Sequence, residues 1–539
     1  MLSDQDLLAS LPPVEHFTAQ EEMALRQYVT NIDRPVFALV NLPEVVKGAL
    51  FARYSRSNKS LRRLLLDEFM GDLPEVTASR LESHRRAETL YDRVFNEYGD
   101  DSVAQLGSVH LACEGVSNVL TKVLERGRLT SYLEQSTRYV RYDDQVNGHW
   151  KYHVPAELEG NLREQYCLVM DKAFETYSKW IQRMEDYFHL RYPRENGTPA
   201  AAYNRTIRAK ALDTLRGLLP AATRSNLGIY GSGQAYEALL LRMRALHTSE
   251  TRAFSDLILA ELRKVIPSFV VRVDRLDRGI AWSKYLNETE EATHNQAAKL
   301  LEGVVPSSEP EVTLTDFDPE GEVKVIAAAL YSASSLPDAQ LLSFARKLSV
   351  EDRSAVLRAY VGDRKNRRHR PGRAFERTYY RFDVLTDYGA FRDLQRHRIL
   401  TVEWQALSPA YGYFVAESVE DAGGLDDWTR VMDASAELHH DLTSHGHKDS
   451  AAYAVAMAYR IRFYMEMNAR EAMHVIELRT APQGHPAYRR VCQQMHRLIA
   501  ETAGHHAIAE AMSFANHECV ELERLQSETA SQVRLGANH

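Results

Sequence analysis

The sequence has few cysteines and no long apolar run, and each shortage excludes a class of protein. Only four cysteines occur in 539 residues, and no two of them form a C-x-x-C pair. Their separation argues against a cysteine zinc site and against a secreted disulfide framework. No apolar run is long enough for a transmembrane helix, and residues 1–22 lack the basic-then-apolar order of a signal peptide. We therefore expect a cytoplasmic protein that does not enter a membrane.

An excess of positive charge is also missing. The formal net charge is -8, from 66 basic and 74 acidic side chains, so general nucleic-acid binding is not expected. Residues 364–377, RKNRRHRPGRAFER, are nevertheless strongly basic. This segment is either a solvated loop or a surface for an anionic ligand, and nucleic-acid binding through it would depend steeply on salt. Adjacent histidines at 439–440 and 505–506 cannot share one helix face, so no metal site is expected.

Two segments follow the same plan, which indicates an internal repeat. Residues 36–57 and 312–334 each read as an apolar strand, a turn containing proline, an amphipathic helix and a Tyr-Ser pair. The change from a two-residue to a 3.6-residue period marks a strand followed by a helix. Most of the remaining sequence has a helical pattern, so the predicted fold is helix-rich α+β in two similar halves. The Pro-, Ser- and Glu-rich stretch 304–311 is the best linker, which predicts domains at residues 1–305 and 306–539.

In the first half, polar chemistry concentrates in residues 126–139, RGRLTSYLEQSTRY. The stretch holds three arginines, several Ser and Thr hydroxyls and one carboxylate. An anionic ligand with sugar hydroxyls needs this mixture, because guanidinium groups bind phosphate while hydroxyls and a carboxylate bind the sugar or a ring N–H. By composition alone, the stretch could equally be a polar surface element.

In the second half, two elements stand out. Residues 396–398 read Arg-His-Arg, and residues 468–479, NAREAMHVIELR, read as a helix in which Arg470, His474 and Glu477 recur on one face. Apolar residues are available to bury the opposite face. Taken separately, each element has a plainer interpretation: a basic helix end for the triplet, and an amphipathic helix with ion pairs for the longer segment.

The order of the first-half residues resembles the signature of flavin-dependent thymidylate synthases, R-H-R-x-x-S-x-N-E-x-S-x-R-Y. The positions in register are Arg126, Arg128, Ser131, Glu134, Ser136, Arg138 and Tyr139. Gly127 and Leu133 replace the His and Asn of the signature. Upstream, Gln105 and Leu106 stand where the family usually has a Glu-His pair.

The second half is similar to the family at complementary positions. Residues 396–398 give the R-H-R triplet intact, with Thr401 at the Ser position, after which the signature stops. The helix resembles the family's N-A-R-S-L-x-H-F-x-x-L-R and matches it at Asn468, Ala469, Arg470, His474, Leu478 and Arg479. The first half keeps only Arg242 of this helix motif, and Gly233 stands in place of the key arginine.

The resemblance implies a function and a set of site residues. Family members methylate deoxyuridylate (dUMP) to thymidylate (dTMP), with methylenetetrahydrofolate as carbon donor, FAD as cofactor and NADPH as reductant. The implied flavin contacts are Arg396, His397, Arg398, Asn468 and His474. The implied nucleotide contacts are Arg126, Arg128, Ser131, Glu134, Ser136, Arg138 and Arg479. Arg470 would lie on the uracil base as the catalytic residue, where its charge would stabilise the developing negative charge.

The resemblance also implies an assembly. Family members are homotetramers with sites where subunits meet, so two fused halves would form a pseudo-dimer and two chains a homodimer resembling the tetramer. Each complete site would then take its nucleotide loop from one half and its R-H-R and N-A-R elements from another. The alternative is a non-catalytic or repurposed relative that still binds FAD or a nucleotide, because Gly127, Leu133, Gly233 and Thr401 depart from the motifs.

Overall fold

The computed structural model describes residues 11–42, 44–55, 57–69 and 107–518, together with residues 522, 524, 525 and 529. Gln105 and Leu106, at the family's Glu-His position, therefore lie outside the described residues. The chain divides into two compact units. Unit 1 comprises Met1–Lys179, Leu218–Val305 and Asp426–Ala456, and unit 2 comprises Trp180–Gly217, Pro306–Leu425 and Met457–His539. Each unit thus takes one segment from the other half of the sequence.

Each unit contains a four-stranded antiparallel sheet, and the two sheets have the same strand order. In unit 1 the order is β1-β2-β4-β3, with strands Val36–Leu39 (β1), Ser108–Ser117 (β2), Thr130–Glu134 (β3) and Arg224–Ser232 (β4). In unit 2 the order is β5-β6-β8-β7, with strands Val312–Phe317 (β5), Tyr379–Asp387 (β6), Thr401–Trp404 (β7) and Arg460–Asn468 (β8). This topology confirms both the α+β class and the internal repeat.

Helices form most of the remaining described chain. In the first half of the sequence they are Ala19–Leu25 (α1), Glu44–Tyr54 (α2), Leu61–Leu64 (α3), Asn118–Leu124 (α4), Gly160–Arg191 (α5), Ala200–Leu215 (α6), Gly233–Ala245 (α7), Ser249–Val265 (α8), Pro267–Val270 (α9) and Ala281–Leu300 (α10). In the second half they are Gly321–Tyr331 (α11), Asp338–Lys347 (α12), Val350–Val361 (α13), Tyr388–Leu394 (α14), Glu417–Asp421 (α15), Leu425–Ser444 (α16), Lys448–Ala451 (α17), Ala469–Arg479 (α18), Pro486–Glu501 (α19) and His506–Ala511 (α20). Within the described ranges, no helix combines the length and the apolar character needed to cross a membrane.

The predicted strand-and-helix repeat is present in both halves. β1 is followed by α2, which ends at Tyr54, and β5 is followed by α11, which ends at Tyr331. The two Tyr-Ser pairs therefore mark equivalent helix ends. Residues 304–310, in the stretch predicted as a linker, are exposed and belong to neither a helix nor a strand.

Residue alternation explains how the sheets are covered. In β1, Val36 and Ala38 join an apolar cluster with α7 and α8, whereas Phe37 and Leu39 join a second cluster with α2. Successive strand residues point to opposite faces, so four apolar residues in a row require cover on both faces of the sheet. In β8 of unit 2, buried residues alternate with partly exposed ones, and the strand leads directly into α18.

Candidate functional site

Two connections in unit 2 position the second-half site residues. α14 leaves the end of β6, and residues 396–398 follow that helix. α18 leaves the end of β8, where Asn468 is its N-cap and accepts a hydrogen bond from the Glu471 N–H at 2.9 Å. On α18 the apolar residues Ala472, Met473, Val475 and Ile476 are all buried, as the amphipathic pattern predicts.

His397 lies at the centre of this site. Arg479 Nε donates to His397 Nε2 at 2.9 Å, and Arg479 Nη2 donates to the carbonyl of Asp393. Because Nε2 accepts, we assign the ring proton to Nδ1, which lies 3.7 Å from Glu471 Oε1. The rings of His397 and His474 meet edge to face, with centroids 5.6 Å apart. The R-H-R triplet and the N-A-R helix therefore converge on one cluster.

Asp393 organises the arginines of the cluster, and sequence reasoning missed it. Its carboxylate accepts from Arg396 Nη2 at 2.6 Å and lies 3.8 Å from Arg479 Nη1 and 3.5 Å from Arg216 Nη1. Arg216 Nη2 also lies 3.7 Å from Asp387 Oδ1, so a second carboxylate shares this arginine. The available signal was an acid three residues before Arg396, a spacing at which side chains meet at a helix end.

The basic segment 364–377 packs against the polar face of α18. Arg364 and Glu477, both buried, form a two-pronged ion pair with N–O distances of 2.6 Å. Arg370 Nη2 lies 2.9 Å from His474 Nδ1. The helix face predicted from the recurrence of Arg470, His474 and Glu477 is therefore the face that this segment covers.

Arg470 is held by the same segment. Its Nε donates to the carbonyl of Pro371 at 2.9 Å, and its Nη1 lies 3.6 Å from Glu376 Oε1. The side chain remains 31% exposed. These contacts fix the direction of the guanidinium group while leaving part of it accessible to a ligand.

Burial and positive charge keep both histidines neutral at pH 7. Burial, followed by the charges of nearby arginines, lowers the pKa of His474 to about 4. Burial, with Arg479 as the next cause, lowers the pKa of His397 well below its ordinary value. Burial raises the pKa of Glu471 to about 7, although neighbouring arginines oppose this shift. The cluster thus combines neutral imidazoles, a carboxyl group whose pKa is raised to about 7 and several guanidinium groups.

His397, Glu471 and His474 also have the side chains of a metal site, with ligand atoms within 4.8 Å of one another. A metal ion needs an available nitrogen lone pair on each imidazole. Here Arg479 donates to the lone pair of His397, and Arg370 donates to that of His474. The guanidinium groups also repel a cation. The donor set therefore fits an anionic ligand better than a metal ion.

The first-half site residues lie in unit 1, on β3 and near its two ends. Glu134 is buried, and its carboxylate lies 3.5 Å from Lys122 Nζ. Ser136 Oγ accepts from the Arg138 N–H at 3.3 Å, and both residues are half-buried. The exposed residues of the set are Arg126, Arg128 and Ser131. The loop thus keeps one buried acid together with hydroxyl and guanidinium donors at the surface.

Two of the departures from the family motifs can be placed in the structure. A Cβ at Gly127 would meet Tyr132 Oη at 2.9 Å and Thr130 Oγ1 at 3.0 Å, so a His at this position would require the Tyr132 hydroxyl to shift. α7, the counterpart of α18, is N-capped by Ser232. Aligned on their caps, the two helices place Gln234 opposite Arg470, one residue beyond the Gly233 suggested by sequence. In either alignment, the first-half helix lacks the key arginine.

Asn468 offers a test that separates a structural role from a binding role. Replacing Asn468 with Ala removes the helix cap, and we expect the free energy of unfolding to fall by about 1 kcal/mol. Asn468→Asp keeps the accepting oxygen and should keep that stability, which urea denaturation would measure. If Asn468 also binds the ligand through its amide, both variants will bind it more weakly. Equal stability of Asn468→Ala and the natural protein would contradict the capping role.

The fold is a two-repeat α+β fold, and its second unit contains an arginine-rich cluster around His397. The family described as thymidylate synthase complementing protein matches residues 49–268 and 313–504. A UPF0159 protein of Chlamydia pneumoniae is 38% identical over 523 residues, covering 95% of this chain and 98% of its own length. A flavin-dependent thymidylate synthase of Clostridium tetani is 28% identical over 175 residues, covering 32% of this chain and 64% of its own.

Among solved structures, the chain is similar to a UMP/dUMP methylase of Streptomyces cacaoi bound to 5-Br dUMP, at 20% identity and a TM-score of 0.31. That likeness covers 38% of this chain and 96% of the other. The family match spans both repeats and most of the chain. The chain therefore belongs to the flavin-dependent thymidylate synthase family.

Proposed function

We propose that this chain methylates dUMP to dTMP in the manner of a flavin-dependent thymidylate synthase, with methylenetetrahydrofolate and NADPH as co-substrates. The observation that carries the proposal is the meeting of the R-H-R triplet and the N-A-R helix around His397. Two family motifs separated by about seventy residues of sequence form one arginine-rich cluster, as a shared ligand would require. Family membership and the name of the Clostridium relative support the same reaction.

In this proposal FAD is held by unit 2. The residues that would hold it are Arg396, His397, Arg398, Asn468 and His474. The donor set fits, because neutral imidazoles can lie against a ring system and guanidinium groups can bind phosphate. When bound, reduced flavin supplies the hydride, while the chain binds, orients and provides charge.

The proposed nucleotide site uses the first-half loop. Glu134, Ser136 and Arg138, with Arg126, Arg128, Ser131 and Arg479, would hold the phosphate and sugar of dUMP. Arg470 would lie on the base, where its charge stabilises negative charge that develops on the uracil oxygens. We propose that the synthase-like halves 1–305 and 306–539 pair within a chain or between two chains. Each working site would then combine the loop of one half with the helix of the other.

The proposal is tested by anaerobic turnover of the purified full chain. FAD, NADPH, dUMP and methylenetetrahydrofolate are supplied, and dTMP is measured by mass. Formation of dTMP that disappears in both Arg138→Ala and Arg470→Ala would support a site shared between the halves. Tight FAD binding with no dTMP would reject the synthase reaction and favour the alternative, a repurposed FAD- or nucleotide-binding relative.

The raised pKa of Glu471 predicts a pH dependence of FAD binding. Above its pKa of about 7 this carboxyl group is negative and repels an anionic ligand, and below that pH it is neutral. By linkage, the affinity for FAD should fall as the pH rises from about 6 to about 8. His474, with a pKa of about 4, stays neutral throughout this range. Fluorescence titration should find the slope in the natural protein and a flat profile in Glu471→Gln; a slope that survives the substitution would assign it to another group.

A further inference from the structure

One arginine of the basic segment has a purely structural role. Arg364 Nε donates to the carbonyl of His369 at 2.6 Å, and its two Nη atoms bind the Glu477 carboxylate. The same Nη atoms also donate to the carbonyls of Ala511 at 2.8 Å and Arg367 at 3.5 Å. All five N–H groups therefore have acceptors, and none is left for a ligand. Arg364 anchors the segment to α18.

The anchor holds residues 364–370 as a closed loop. Within it, the Lys365 N–H donates to His369 Nδ1 at 3.3 Å, so His369 closes the loop through its ring and, by accepting from Arg364, through its carbonyl. The Arg370 side chain leaves this loop toward α18 and reaches His474. Because the loop is pinned, the position of Arg370 is set by the fold.

The charge of Arg370 acts on the carboxyl group of Glu471: burial raises the Glu471 pKa to about 7, and Arg370 opposes that shift. In the part of the chain that the structure describes, no carboxylate forms an ion pair with its guanidinium group, and its contact is the neutral ring of His474. Arg367, in the same loop, also acts on His474 through its charge. Two cations beside one neutral ring suit an oxyanion with more than one negative charge, and phosphate matches the planar fork of arginine.

We propose that Arg370 is a phosphate-binding arginine of this site, and that its guanidinium group, which contacts His474 here, binds a phosphate group of the flavin nucleotide. The inference rests on the proposed function, because it places the flavin cofactor beside His474. The same chemistry could serve the phosphate of dUMP, so the test has to separate the two phosphate esters.

The experiment measures binding of FAD, FMN, riboflavin and dUMP to the full chain by fluorescence or calorimetry. Arg370→Ala is compared with Arg370→Lys and with Arg368→Ala, a control on an exposed residue of the same loop. We expect Arg370→Ala to weaken FAD and FMN binding by roughly ten- to a hundredfold, the effect of losing a hydrogen bond to a charged group. Riboflavin, which lacks phosphate, should bind both proteins equally. Arg370→Lys should recover part of the affinity, because lysine restores the positive charge but not the planar, two-pronged donor geometry of arginine.

The outcomes separate this inference from the proposed function. If the natural protein binds no flavin, the proposed function and this inference both fail. If it binds FAD and Arg370→Ala binds FAD equally well, the inference alone is overturned. A loss of affinity confined to dUMP would overturn the flavin assignment and would show that Arg370 binds the phosphate of the substrate. An equal loss of riboflavin affinity would also overturn the phosphate assignment, because Arg370 would then shape the pocket without binding a phosphate group.

Discussion

Replacing Arg364 with Met is expected to destabilise unit 2 by about 3–5 kcal/mol, because it leaves the Glu477 carboxylate buried without its partner. Both side chains are almost fully buried, at 3% and 1% exposure. The variant also deprives the carbonyls of His369 and Ala511 of a donor. A lowered midpoint of thermal unfolding, followed by circular dichroism, would measure the effect.

Two control variants distinguish the effect of breaking the buried ion pair from the effect of removing any arginine. Arg346 forms a similar two-pronged pair with Glu320, but there the side chains are 48% and 44% exposed. Exposed pairs contribute little, so Arg346→Met should hardly move the midpoint. Replacing both Arg364 and Glu477 with Met should recover part of the loss, because no charge then remains buried. If Arg364→Met and Arg346→Met lowered the midpoint of thermal unfolding equally, the claim that Arg364 anchors the basic segment to α18 would be wrong.

The anchor also links stability to binding. Arg370 depends on the loop that Arg364 holds closed, so an Arg364→Met chain that still folds at low temperature should bind FAD as weakly as Arg370→Ala. The two variants would differ in stability and agree in affinity. This combination is expected only if the segment acts as a positioned part of the site.

Local patterns were sufficient to predict the repeat and the buried face of α18. The period change after Val36 and after Val312 gave the strand-and-helix units, and the apolar spacing on α18 gave its buried face. His397 and Arg479 were assigned through resemblance, and the structure places them in contact 82 residues apart. For the repeat and the buried face of α18, the sequence signal and the physical constraint act within one element, whereas the contact of His397 with Arg479 joins two motifs.

The features that could not be predicted from the sequence depend on contacts between residues far apart in the chain, which no local pattern reveals. The ion pair of Arg364 with Glu477 joins residues 113 apart, and Arg370 meets His474 across 104 residues. From sequence, the basic segment could be a solvated loop as well as a ligand surface, because a charge run has the same composition in both. At Gly127 the sequence shows a departure from the family signature, and the structure adds that Tyr132 and Thr130 lie next to the position a side chain would take. Packing decides such positions, and packing is set by partners elsewhere in the chain.

Arg470→Ala is expected to lower turnover to dTMP by roughly a hundred- to a thousandfold while leaving FAD binding nearly unchanged. Its guanidinium group is held by Pro371 and Glu376, which orients it without using its full hydrogen-bonding capacity. A positioned donor of this kind acts where charge develops during reaction, so its loss affects the chemical step more than ground-state binding. Anaerobic single turnover with preloaded FAD would separate the two effects.

Arg373 provides the matched control for this prediction. It pairs with the same carboxylate, Glu376, at 2.9 Å, but its side chain is 87% exposed. Arg373→Ala removes a positive charge from Glu376 as Arg470→Ala does, and it should retain full turnover. If both variants lose turnover equally, the effect belongs to Glu376 and the local charge. If only Arg470→Ala loses it, the catalytic role belongs to the arginine in the first turn of α18, and the second half of the chain supplies the group that stabilises charge on the base.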